Sequence, residues 1–176
     1  MKDKSENKME KIGFLFEANY DIGGGHFWRC FNLAKILKKK GRIFYFISKN
    51  LNNSLINFLK KENFNYLNIQ NLKKISYIRN SIKKKKIDVL ISDYYLFDEK
   101  KKKKIKELVK TFVVIDDFTH KKHHCDVYIN NNFMGKKAKV KIKKLNPNTK
   151  LLLGINYFIQ PKKILISKNR LLNKKI

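Results

Sequence analysis

Short unbroken apolar runs alternate with longer stretches of three- and four-residue apolar spacing along most of the chain, and that alternation is the signature of a parallel sheet covered by helices. Residues 12–16 predict a first strand. Residues 27–39 predict a helix with Phe27, Cys30, Phe31, Ala34 and Leu37 on one face, closed by Gly41. Residues 43–47 predict a buried second strand; Asn53 or Ser54 then caps a short helix bearing Leu55, Ile56 and Leu59, and residues 66–69 predict a third strand. A helix over 72–82, with Leu72, Ile75, Ile78 and Ile82 in phase, runs into Lys83, Lys84, Lys85 and Lys86, charges that suit a helix C-terminus. Residues 87–91 predict a fourth strand. Asp98 is a good cap for a lysine-rich helix carrying Ile105, Leu108 and Val109, followed by strands over 112–115 and 127–129. Residues 135–150, polar and basic with Pro147, read as a loop or a weak helix before Leu151, Leu152, Leu153 and Gly154. The fold class is therefore α/β, a doubly wound parallel sheet. The expected organisation is a flexible segment over 1–10, one Rossmann-like domain over 11–166, and a short tail over 167–176.

Composition narrows the function classes. A chain of 176 residues, 43% hydrophobic and 12% aromatic, can fill one core. Its net charge of +28 would ordinarily suggest nucleic acid or an anionic membrane. The lysines, however, are spread through nearly every segment alongside abundant Asn and Ile, so they read as a solvated coat, and no specific nucleic-acid partner is expected. Cys30 and Cys125 make neither a disulfide framework nor a zinc-ligand spacing and are expected to be buried free thiols. The polar start, and an apolar run after it too short for a signal peptide or a membrane span, predict a cytoplasmic protein with no membrane insertion.

Doubly wound sheets bind ligands beyond the carboxyl ends of their strands, so residues there are the candidates for function. After the first strand comes Ile22, Gly23, Gly24, Gly25 and His26. A glycine turn lets backbone N–H groups approach an anionic ligand, and the following helix adds its positive N-terminal end. His26, at the mouth of the turn, is suited to proton transfer near neutral pH. The glycines lack the dinucleotide spacing and a P-loop ending, so neither NAD nor ATP is indicated and no cofactor is expected; a sugar nucleotide remains open. After the fourth strand lie Asp93, Tyr94 and Tyr95, where a tyrosine hydroxyl can orient a sugar or a water, and after the fifth lie Asp116 and Asp117, suited equally to loop capping and to a ligand. His120, His123 and His124 sit near Cys125 and Asp126, but neighbouring histidines on one loop rarely converge on one ion, and no metal site is expected.

Taken in order, the segment from Ile22 to Ala34, Ile91 to Tyr95, Val114 to Asp126, Asn130 to Asn132, and Leu152 to Tyr157 resemble the UDP-sugar hydrolases of pseudaminic acid biosynthesis, which release UDP from a UDP-linked diacetamido-trideoxy-altrose. The resemblance implies the N-terminal half of a GT-B-type fold. It implies His26 as the base that activates water, Tyr95 in the same pocket, and a substrate site built from Gly23, Gly24, Gly25, Asp93, Tyr95 and Asn132. Three departures accompany it. Glu17, Ala18 and Asn19 stand where the family has an Arg-x-Asp triplet, Tyr94 stands where it has a histidine, and the second, nucleotide-binding domain is expected to be absent beyond about residue 166, so that a separate chain is the expected source of the missing half. The alternative is a non-catalytic sugar-binding remnant.

Overall fold

The computed structural model describes residues 9–18, 23–38 and 41–159. Its centre is a seven-stranded, wholly parallel sheet in the order β3-β2-β1-β4-β5-β6-β7. The strands are β1 (Glu10–Phe16), β2 (Arg42–Ser48), β3 (Asn65–Asn68), β4 (Val89–Asp93), β5 (Thr111–Ile115), β6 (Val127–Asn130) and β7 (Lys150–Leu153). Helices α1 (Gly25–Leu37), α2 (Asn53–Lys61), α3 (Ile75–Lys85), α4 (Glu99–Lys106) and α5 (Lys136–Leu145) connect them, and a single 3-10 turn (Ile155–Tyr157) follows β7.

Strand side chains alternate between two cores, as a sheet covered on both faces requires. Ile12, Phe14 and Phe16 of β1, with Phe44 and Phe46 of β2, face α1 and α2, whose Phe27, Phe31, Ala34 and Leu59 complete the first core. Phe14 stacks on Phe46 at 5.1 Å between ring centres, and Phe46 on Phe64 at 5.4 Å. Leu15, Leu90, Phe112 and Tyr128 face the other way, into a core closed by Ile78 and Ile82 of α3, Ile105 of α4 and Ile142 of α5. Both cysteines are free and buried.

Several boundaries differ from the sequence expectation, each for a local reason. Helix α1 begins two residues early, at Gly25, and has Lys38 as its C-cap; Gly41, with φ +79°, makes the turn into β2 instead of closing the helix. Asn52, ahead of both expected caps, accepts the Leu55 N–H at 2.9 Å and starts α2. Leu72 precedes α3, because the Asn71 side chain holds the N–H groups of Lys73 and Lys74 in a turn first. Strand β4 runs on to Asp93, so this carboxylate belongs to the strand's last residue. Asp98 caps α4 as expected, but the helix stops at Lys106, leaving Leu108 and Val109 to pack from the following turn. The basic stretch after Gly135 is a helix, α5, and the leucines after it make a seventh strand. The expected segment over 1–10 overlaps β1, which opens at Glu10; residues 1–8, Asn19, Ile22, Lys39 and everything after 159, including the expected domain end at 166 and the tail, lie outside the described residues.

Candidate functional site

The chain winds outward in one direction from β1 to β2 and β3, and in the other from β4 onward. The carboxyl ends of β1 and β4 therefore border the crevice where such sheets take ligands. Phe16 pairs in register with Asp93 across those two ends. The glycine turn and α1 lie directly above.

Asp93 is fully buried, and a lone carboxylate there would be strongly disfavoured. Two residues one turn apart on α1 resolve the cost. Arg29 grips the carboxylate side-on, Nε to Oδ2 at 2.6 Å and Nη2 to Oδ1 at 2.5 Å, and His26 Nδ1 meets Oδ1 at 2.8 Å. The carboxylate accepts the Nδ1 proton, which leaves Nε2 as the basic nitrogen of the ring. Arg29 extends the network: Nη2 donates to the Tyr95 hydroxyl at 2.9 Å, and Nη1 reaches both oxygens of Asp117 at 3.2 and 3.3 Å. The Tyr95 hydroxyl in turn donates to Asp117 Oδ2. Burial opposes the charge on Arg29, but Asp93, Tyr95 and Asp117 more than offset it and hold the guanidinium firmly protonated. The Tyr95 phenol is raised by burial and by its bond to Asp117, so it stays neutral with its proton engaged.

A cleft of about 350 Å³ opens over this network, lined by Gly25, His26, Arg29, Tyr95, Asp117 and Asn131 among others. The Tyr95 ring stands edge-on to His26, 4.8 Å between centres, and fixes the imidazole plane. Of the three glycines, Gly23 alone needs its residue type for conformation, with φ +77°. Gly25 lines the cleft, and a Cβ there would meet nothing within 4 Å, so the space over the helix N-terminus is open to a ligand.

The structure thus gathers His26, Gly25, Tyr95 and Asp93 in one place. Asp93 stands behind His26 and Arg29, with both oxygens engaged, and acts on the cleft through them. Asn132 is exposed beside the network; its side chain donates to the Asp117 carbonyl at 3.3 Å, and the asparagine that lines the cleft is Asn131. The two aspartates after β5 divide the roles the sequence left open: Asp116 Oδ1 accepts the Phe118 N–H at 2.9 Å and turns the loop, while Asp117 joins Arg29. The tyrosine pair divides too. Tyr94 turns into the second core against Phe97, 4.8 Å between rings, where burial and the nearby charge of Glu17 push its hydroxyl up to about 12. Arg29, the hub of the site, had no role assigned from sequence, although its place three residues after His26 on a helix sets the two side by side.

The histidines of the loop after β5 go separate ways. His123 is buried and stacked on Tyr128 at 4.3 Å, with Nδ1 2.8 Å from Lys102 Nζ; His124 reaches Glu99 at 2.7 Å near the surface; His120 lies against Phe118. Among the described residues no group of three or more His, Cys, Asp or Glu side chains is placed to hold a metal ion, and no helix is long and apolar enough to cross a membrane.

No protein-family model matches the sequence, and no curated protein matches it. Solved structures do. The crystal structure of Acinetobacter baumannii MurG superposes with a TM-score of 0.51 at 13% identity, over 70% of this chain and 41% of the MurG chain. The described chain is thus similar to less than half the length of that protein, and the likeness is one of architecture: a Rossmann-like α/β unit of the kind that forms one half of a GT-B fold.

Proposed function

We propose that this chain is the catalytic half of a nucleotide-sugar hydrolase that releases UDP from a UDP-linked diacetamido-trideoxy sugar. The observation that carries the reading is the Asp93–His26 pair at the edge of an open cleft, beside a glycine turn and a helix N-terminus. In the step we infer, a water oxygen attacks the anomeric carbon while its proton passes to His26 Nε2. The bond from that carbon to the β-phosphate oxygen breaks, and UDP departs with the bonding pair. Asp93 holds the tautomer that leaves Nε2 free of its proton, and Arg29 fixes Asp93 in place through both of its oxygens. The GT-B-type fold supports a nucleotide-sugar substrate as a class. The hydrolase and its pathway rest on the ordered motifs in the sequence.

Because the match spans 41% of the MurG chain, we also propose that the uridine is clasped by a second unit of the same architecture, on this polypeptide or another. UDP alone then binds the described unit weakly, above micromolar Kd; calorimetry showing submicromolar affinity, about −8 kcal/mol or stronger, would mean the site is complete without it. The deciding experiment follows UDP release from the UDP-sugar by the complete or reconstituted enzyme and by His26→Asn. The asparagine keeps the shape and removes the base, so the rate falls about 10²–10⁴-fold with substrate binding retained. An unchanged rate would remove His26 from the mechanism.

A further inference from the structure

Three consecutive asparagines leave β6, and their side chains have unequal fates. Asn130 is wholly buried and satisfied: its Nδ2 donates to the Tyr128 hydroxyl at 3.0 Å, and its Oδ1 accepts the Asn132 N–H at 3.1 Å. Asn132 is exposed and spans to the Asp117 carbonyl. Asn131 lies between them, 6% exposed, yet its Oδ1 has no hydrogen-bond partner among the described residues. A buried amide oxygen without a donor is costly, and native proteins seldom keep one without use. Asn131 lines the same cleft as His26, Arg29 and Asp117.

The neighbours explain why the oxygen stays unpaired. Arg29 is the cationic donor lining the cleft, and its N–H groups already serve Asp93, Tyr95 and Asp117. Tyr95 has given its proton to Asp117. The Trp28 indole and the Asn32 amide are further donors on this wall but make no bond to the oxygen, and the Asp117 carboxylate and His26 Nε2 are acceptors. A donor that enters with the ligand would satisfy Asn131 where no described residue does.

We infer that Asn131 is a ligand-binding residue whose amide oxygen accepts a hydrogen bond from an N–H or O–H group on the sugar ring. The assignment rests on the nucleotide-sugar reading of the cleft and adds to it a polarity requirement: the sugar presents a donor here, either a ring hydroxyl or the N–H of an acylamino substituent. Phosphate, which offers acceptors at neutral pH, is not the partner.

The test uses the full chain with UDP-N-acetylglucosamine, UDP-glucose and UDP as probes, saturation-transfer NMR for affinity, and thermal unfolding as the structural readout. Asn131→Leu removes the oxygen and fills its space; Asn131→Ala replaces it if leucine does not fit. Either is expected to weaken binding of a sugar-bearing probe about tenfold while UDP binding stays as it was. The unfolding midpoint of the leucine variant is expected to hold or rise by about 2–4 °C, because an unpaired buried polar atom has been removed. A loss confined to UDP-N-acetylglucosamine identifies the acylamino N–H as the donor, and a loss shared with UDP-glucose identifies a hydroxyl. Asn130→Ala, which breaks two structural bonds, should lower the midpoint and so calibrates a structural effect. Equal sugar binding by wild type and variant would overturn the inference and leave the nucleotide-sugar reading standing, as would a midpoint falling alongside that of Asn130→Ala. Absence of binding of every probe to the wild type would overturn both.

Discussion

Two buried polar clusters lie at the carboxyl side of the sheet, and they solve the same electrostatic problem differently. Around Asp93 the charges are fully paired: Arg29 takes both oxygens, His26 shares one, and Asp117 with Tyr95 closes the outer side. Around Asp116, at the end of β5, they are not. Its Oδ2 has no hydrogen bond among the described residues, with Lys121 Nζ at 3.6 Å and Lys102 Nζ at 4.0 Å, both beyond hydrogen-bonding distance. Burial raises the Asp116 carboxyl and lowers the Lys102 ammonium, so each charge is held against its preference. His123 Nε2 is likewise unpartnered among the described residues, and burial with the charges of Lys102 and Lys121 pushes this imidazole down to about 3. The difference lies in the cation. A guanidinium offers a fork of donors matching a carboxylate, whereas a lysine reaching the interior along its helix brings a point charge that satisfies one acceptor at a time. The paired cluster fixes a proton acceptor in place. The loosely paired one leaves the fold sensitive to pH.

The strongest way to break this contrast is to remove the centre of the paired cluster. Asp93→Ala strands the buried guanidinium of Arg29 and frees the imidazole, and it is expected to cost about 3–5 kcal/mol of stability by urea unfolding. A loss below about 1 kcal/mol would mean that Asp117 alone suffices to hold Arg29, and that the site is not built around Asp93.

The second effect separates the clusters by pH. Since His123 lies near 3 in the fold and near 6.5 when unfolded, the unfolded chain binds a proton between those values that the native chain does not. Stability contributed by the neutral ring is thus complete above pH 6.5 and is lost as pH falls toward 3, by at most about 1.4 kcal/mol per pH unit. Asp116, raised by burial, works in the opposite sense and blunts the slope. His123→Leu should flatten the dependence between pH 7 and 5 relative to wild type. Parallel curves for wild type and His123→Leu would dismiss the loosely paired cluster as the source.

How far these clusters can be read from sequence differs along the same line. The alternating runs gave the parallel sheet because burial on both faces demands continuous apolar strands, and the strand-end rule pointed to His26, Asp93 and Tyr95 as candidates, which the fold brings side by side. Helix α5 was ambiguous because Ile142 is its one buried residue among lysines, a periodicity too sparse to register. Lys102 was hidden for a related reason: in a run of lysines from 100 to 104 nothing marks the one that is 2% exposed, since the rotation of α4 against the sheet decides it. Among the described residues the lysine coat therefore has one member inside. Arg29 was legible in principle, three residues from a candidate base on an amphipathic helix. The division of labour among Asn130, Asn131 and Asn132 was not, because one residue of register separates a satisfied amide from an unsatisfied one.

The smallest effect concerns the glycine turn. Gly25 opens α1 with an ordinary negative φ and has open space where a Cβ would stand, so alanine there fits the backbone and narrows the unfolded ensemble. Gly25→Ala is expected to stabilise the fold by about 0.4–1 kcal/mol. If a ligand's anionic group rests on the N-terminus of α1 close to the backbone, the added methyl occupies that approach, and sugar-nucleotide binding weakens even as stability rises. Gly23→Ala, forced to φ +77°, should instead lose stability without a selective effect on binding. Measuring unfolding and ligand affinity on both variants separates a glycine kept for its turn from one kept for its absent side chain; equal affinity for Gly25→Ala and wild type would move the ligand away from the helix end.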